Sequence, residues 1–139
     1  MVVDYDQLVI GAGLGSGADQ DAFFANQGEF IMKAAEFARR LDVAFILLAQ
    51  PRKASSGAKK NEKPTLDDIY GHSAMRNTPH VIMWVVREFF VHNMDKKYEK
   101  LARVYVLKSR NDSTGMAKLA FDPWRVRFLD APKDAETEE

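Results

Sequence analysis

In "VYVLKSRNDSTGMAKLAF" (residues 104–121) two apolar strands flank a short polar tip that holds Lys108 and Arg110. Residues i and i+2 at a strand end point the same way, so the pair forms a two-pronged cation. A planar guanidinium beside a compact ammonium suits a phosphate. Two more residues stand where strand ends place chemistry. Asp4 closes "VVDY", and an Asp at the carboxyl end of a parallel strand can hold a magnesium-bound water. Gln50 closes "VAFILLAQ" (43–50), where an amide can bond a phosphate or an attacking water. Each has a bland counterpart: a charged surface turn, an ordinary strand end, and a Gln capping a loop.

The loop after Gln50 is basic. Between Pro51 and Thr65 stand Arg52, Lys53, Lys59, Lys60 and Lys63 against Glu62 alone, interleaved with Ser and Gly. Such a loop is either a solvated surface or a flexible cationic segment suited to a nucleic-acid backbone. The last ten residues carry five acids, Asp130, Asp134, Glu136, Glu138 and Glu139, against Lys133. The two segments help to bring the balance to 20 Lys plus Arg against 20 Asp plus Glu, so net charge names no partner. Cysteine is absent, which excludes disulfides and thiolate metal sites and fits a reducing compartment. No apolar run reaches the roughly 18 residues of a membrane span, and Asp4 and Asp6 interrupt any signal-like start. A cytoplasmic protein without a membrane partner is expected.

His72, His80 and His92 match no metal spacing and read as structural. "LVIGAGLGSG" (8–17) looks like the opening of a dinucleotide-binding domain. Yet Ser16 stands where the third glycine belongs, and the next strand ends in Gln50 rather than an acid.

The elements that would position these residues follow from pattern. A strand opens the chain and a Gly-rich loop covers 11–20. A helix is expected from about Asp21 to Leu41, with Phe30, Ala34, Phe37 and Leu41 on one stripe. Residues 43–50 read as a strand buried on both faces, 66–78 as a short helix weakened by Gly71, and 80–87 as another apolar strand. Residues 88–100 are amphipathic and ambiguous. Three alternating segments follow at 101–107, 116–121 and 125–129. The fold class is α/β, a partly parallel sheet with an antiparallel β-meander end. A folded part over 1–130 precedes an acidic, disordered tail over 131–139.

Taken in order, these segments resemble the C-terminal half of the RecA-like motor domain of hexameric replicative helicases, the DnaB and phage primase-helicase group. "VVDY" is similar to the family's Walker B strand, and "LLAQPRK" to its strand ending in Gln or His before a basic loop. "PTLDDIYGHSA" resembles P-x-x-x-D-L-R-G-S-G, "VIMWVVR" a buried strand ending in Arg, and "KSRNDSTGMAKLAF" the motif K-x-R-N-x-x-T-G. The resemblance implies ATP and Mg2+ as cofactors, with Asp4 orienting the magnesium shell through water. Gln50 would sense the γ-phosphate and relay hydrolysis to the loop at Pro51. Lys108 and Arg110 would reach a neighbouring subunit's ATP. Arg87 and Phe121 would flank the base or ribose, and Arg52, Lys53, Lys59 and Lys60 would touch single-stranded DNA inside a homo-hexameric ring.

The sequence also departs from that pattern. No G-x-x-x-x-G-K-[ST] occurs, Tyr70 stands at a usual Arg, His72-Ser73 replaces Ser-Gly, and His80 replaces a frequent Asp. A helicase fragment from the Walker B strand onward, inactive alone, is therefore expected. The alternatives are a RecA-type recombinase or KaiC-like ATPase fragment, or a non-catalytic DNA-binding or assembly module of the same fold. Binding of single strands through the basic loop should be weak and strongly salt-dependent, because backbone contacts release counterions. Neutralising Lys59 and Lys60 together should flatten the log–log salt slope; an unchanged slope removes that loop from the DNA path.

Overall fold

The computed structural model describes residues 1–4, 19–51 and 63–131. The chain divides into two compact units, one of Met1–Gly57 with Thr65–Pro79, the other of Ala58–Pro64 with His80–Glu139. The Gly-rich loop, apart from its last two residues, most of the basic loop and the acidic tail from residue 132 lie outside the described residues.

In the first unit, β1 (Val2–Val3) pairs in parallel with β2 (Ile46–Leu47), with Val2 opposite Ile46 and Val3 opposite Leu47. The Ile46 N–H donates to Met1 O at 2.8 Å and the Leu48 N–H to Val3 O at 2.9 Å. Between the strands runs α1 (Gln20–Leu41). It starts where Asp19 accepts the Ala22 N–H at 2.8 Å, a side-chain cap for an otherwise orphaned donor. Arg39 and Arg40 occupy its last turn, and Asp42 ends it in a left-handed conformation. Glu29–Lys33 and Glu36–Arg40 pairs line its exposed side.

The buried stripe of α1 differs from the expected one. Phe37 and Leu41 are exposed, whereas Gln27, Gly28 and Ile31 are buried. The cause is the segment that packs on the helix. Gln27, with no accessible surface, accepts the His72 N–H at 2.7 Å. Both contact points use glycine. A Cβ on Gly28 would sit 2.8 Å from His72 Nδ1, and one on Gly71 would overlap Gln27 Oε1. Gly71 also has φ +123°, a conformation that L side chains rarely adopt.

That glycine splits the expected helix over 66–78 in two. A 3-10 turn (Leu66–Asp68) is closed by Asp68 Oδ2, which accepts from the Thr65 N–H at 2.7 Å and hydroxyl at 2.9 Å. The four-residue α2 (Ala74–Asn77) follows, with the Ala74 N–H donating to His72 Nδ1 at 3.0 Å. Residues 43–50 also depart from expectation. Only Ile46–Leu47 join a ladder, and Ile46 and Leu48 are exposed, because among the described residues β2 has a single partner strand.

The second unit is a four-stranded antiparallel sheet in the order β3 (Val81–Arg87), β4 (Leu101–Ser109), β5 (Gly115–Asp122), β6 (Arg127–Asp130). The expected strand at 80–87 and the three-strand meander are present. The ambiguous 88–100 forms α3 (Glu88–Val91) and a 3-10 turn (Lys96–Tyr98). The parallel and antiparallel parts of the α/β reading are therefore both present, as separate sheets.

One irregularity governs the second sheet. Val106 is opposite Met83, but Lys108 is opposite Ile82, so Leu107 is an extra residue in β4. Opposed residues share a face, and a bulge of this kind re-aims the side chains beyond it. One face of the sheet thus carries Val81, Met83, Val85, Val104, Ala117 and Leu119 and is mainly apolar. The other bears Arg103, Lys108, Lys118 and Arg127 around Trp84 and Tyr105.

Gly71→Ala should lower the stability of the chain by more than about 1 kcal/mol, since the native backbone is incompatible with a Cβ. Gly115→Ala, where a Cβ meets nothing within 4 Å, should change it by no more than about 0.5 kcal/mol. Urea titration of both variants distinguishes a site-specific lock from a general intolerance of the substitution.

Candidate functional site

Asp4 follows β1 and Gln50 follows β2, so parallel pairing carries both to the carboxyl end of one ladder. Side chains there reach past the sheet edge, the usual ligand side of an open α/β sheet. Both residues are exposed. The chain just beyond Gln50 is anchored by an isolated antiparallel bridge from Pro51 to the buried Ile69. Ile69 lies two residues before the Gly71–Gln27 junction, so the start of the basic loop is tied to α1 through a short path. Arg52, Lys53, Lys59 and Lys60 themselves lie outside the described residues.

In the second unit the structure brings Arg87 and Phe121 together. The Arg87 guanidinium carbon lies 3.2 Å from the Phe121 ring centroid, and its NH2 donates to Glu99 O at 3.1 Å. Phe121 is buried and packs edge-on against Phe128, with centroids 5.2 Å apart. Burial lowers the pKa of Arg87 while Glu99 opposes the shift. Arg87 Nε is buried and has no hydrogen-bond partner, which keeps the site costly until something offsets it. With one face of Phe121 covered, a planar ligand approaching from that side would meet the guanidinium rather than the ring.

Lys108 and Arg110 stand at the β4–β5 tip. The Arg110 N–H donates to His80 O at 3.0 Å, so the β3–β4 ladder continues into the tip. The tip closes on itself, the Asp112 N–H donating to Ser109 Oγ and the Ser113 N–H to Asp112 Oδ1. Arg110 is exposed and Lys108 half-buried. Desolvation, and then repulsion from Arg110, push the Lys108 ammonium below its ordinary pKa.

A cluster that the sequence did not announce supports this sheet. The Glu88 carboxylate, 6% exposed, meets Arg103 Nε at 2.9 Å and His92 Nε2 at 3.3 Å. The His92 ring stacks on Tyr98 at 3.8 Å. Arg103 lies directly opposite Lys118, an unfavourable like-charge pair that Glu88 offsets. The only sequence signal was an acid directly after an apolar strand. His72 and His92 are thus engaged by neighbours, and among the described residues no group of three or more His, Cys, Asp or Glu could hold a metal ion.

The fold is shared with solved helicase and ATPase domains. A structure of a DnaB-like replicative helicase, solved to show its interactions with primase, is 21% identical over 94% of this chain, with a TM-score of 0.76. The ATPase domain of another protein is also 21% identical over 94% of this chain, with a TM-score of 0.73. The chain spans 30% and 44% of those two chains. No curated protein sequence matches it. The profile of the DnaB-like helicase C terminal domain matches residues 1–130. The chain belongs to that family. In this DnaB-like domain the RecA-like fold is present, and no helix among the described residues is long and apolar enough to cross a membrane.

Arg110→Ala should raise the Lys108 pKa toward its ordinary value by removing a like charge, which NMR titration of the ammonium reads directly. The sign follows for stability. A depressed lysine pKa means that the unfolded chain binds more protons just below 10.5, so this group's contribution rises with pH there. In Arg110→Ala that rise should flatten, with total stability changed by no more than about 0.5 kcal/mol.

Proposed function

We propose that this domain works in an ATP-driven replicative helicase that moves along single-stranded DNA, in the cytoplasm, as one subunit of a homo-hexameric ring. The observation that carries the reading is the β4–β5 hairpin. The β3–β4 ladder ends in an exposed Arg110, alternation keeps Lys108 on the same side, and the bulge at Leu107 selects which face that is. Membership of the DnaB-like family supplies the context in which such a fork has a phosphate to meet.

The roles follow from chemistry. Lys108 and Arg110 would donate to the γ-phosphate of ATP held by a neighbouring subunit, countering charge that develops during phosphoryl transfer. Asp4 is exposed at the end of β1 and fits a magnesium site, since that ion keeps several waters and uses only one or two carboxylates plus phosphate oxygens. Magnesium, when bound, neutralises phosphate charge; Asp4 would orient its water shell. Gln50 would hydrogen-bond the γ-phosphate or the attacking water. A change at Gln50 would be felt at Pro51, whose bridge to Ile69 fixes where the basic loop starts. Arg87 would lie against the base or ribose, with Phe121 holding the guanidinium flat from behind. Arg52, Lys53, Lys59 and Lys60 would contact the strand's backbone. The reading requires a phosphate-binding loop that is not among these 139 residues.

In a ring whose subunits carry this domain joined to such a loop, Arg110→Ala should leave nucleotide binding nearly intact. Hydrolysis should fall by about 10³–10⁵, the range for arginine fingers in other phosphoryl-transfer enzymes. Equal losses of binding and hydrolysis would assign Arg110 to ground-state binding and contradict the finger role.

A further inference from the structure

The turn between β5 and β6, "FDPWRVRF" (121–128), holds the most solvent-exposed large apolar side chain described, Trp124 at 91%. An indole normally buries much of its surface, so its position here needs a reason.

The turn is built rather than loose. Asp122 Oδ1 accepts the N–H groups of Trp124 at 3.1 Å and Arg125 at 3.2 Å. Asp122 Oδ2 meets the guanidinium of Arg125 at 3.1 Å and of Arg127 at 3.6 Å. Burial works against the Asp122 charge, but the hydrogen bonds from Arg125 and Trp124 prevail and hold its carboxyl below the usual range. Val126 then takes φ +50°, costly for a β-branched residue. The Asp122 side chain is 13% exposed, while those of Arg125 and Arg127 remain 68% and 56% exposed. Lys118, also exposed, lies on the same face as Arg127, because Asp122 is opposite Arg127 and four residues along β5 from Lys118.

We propose that this outer half of the cation-bearing sheet face, with Trp124 as its aromatic anchor, binds single-stranded nucleic acid. An indole open to solvent stacks a base whatever its identity, and flanking cations track the backbone. Protein hot-spot aromatics usually sit in well-packed surroundings, whereas Trp124 is almost fully open to solvent and next in the chain to Arg125. The inference shares with the reading above only the class of partner; the surface is separate from the basic loop.

Titration of the chain with an oligo-dT tests it, with Trp84→Phe leaving Trp124 as the sole indole. Saturable, salt-sensitive quenching is expected. By anisotropy of labelled oligo-dT on the otherwise unaltered chain, Trp124→Ala should weaken binding roughly fivefold or more, with Trp124→Phe recovering much of it. Unchanged affinity in Trp124→Ala, with loss on neutralising Lys59 and Lys60, overturns this surface and leaves the basic-loop reading standing. Trp124 emission that shifts with protein concentration alone assigns the turn to a protein partner and overturns it as well. No binding of oligo-dT by the unaltered chain defeats both.

Discussion

The ladder between β3 and β4 decides where the hairpin's cations stand. Without the extra residue at Leu107, strict alternation would send Lys108 to the apolar face beside Val104 and Val106. That face is the more open one along β3, where Val81, Met83 and Val85 are exposed, so Lys108 would there be parted from the side that carries Arg103, Lys118 and Arg127. The bulge puts Lys108 opposite Ile82, and the Arg110 N–H on His80 O extends the ladder by one more bond. The cost of gathering cations on one face is offset by two acids of low exposure, Glu88 on Arg103 and Asp122 on Arg125 and Arg127. Removing Glu88 would leave Arg103 facing Lys118 without its counter-charge, whereas Arg125 and Arg127 are exposed, so loss of Asp122 would cost mainly the hydrogen bonds that hold the turn.

The first unit solves a different problem, that of fixing a strand end. A two-residue parallel ladder is too short to set the direction of Gln50 by itself. The added restraint is indirect: Pro51 bridges Ile69, and three residues on the His72 N–H is held by the Gln27 amide. Two glycines make room for that amide and for the His72 ring. A buried polar side chain with a satisfied bond specifies one arrangement where an apolar contact would tolerate several. Precision at Gln50 therefore originates in α1, on the opposite side of the sequence motif that identified it.

Much of this was legible from residue order. The hairpin, the strand expected at 80–87 and the approximate span of α1 follow from alternation and helical periodicity. The misreadings have local causes. An apolar run such as 43–50 suggests burial on both sides, yet burial depends on partner strands that the run itself does not encode. The stripe of Phe30, Ala34, Phe37 and Leu41 lost to Gln27, Gly28 and Ile31, because a buried glutamine and a glycine carry no hydrophobic signal. A bulge has no signature in "VYVLKSR", and the pairing of Glu88 with Arg103, fifteen positions away, is visible only once the sheet is formed. The face occupied by Lys108, unlike its spacing from Arg110, could not have been read from the chain.

The proposed role of Lys108 and Arg110 is to serve a nucleotide held by another subunit. Mixing two inactive ring subunits addresses it most directly, one with Lys108→Ala and Arg110→Ala, the other unable to bind ATP through its phosphate loop. If the fork acts across the interface, mixed rings regain hydrolysis wherever an intact fork faces an intact nucleotide site. If mixed rings stay as inactive as either parent while both variants still assemble, the fork serves its own subunit or none, and the account of the hairpin is wrong.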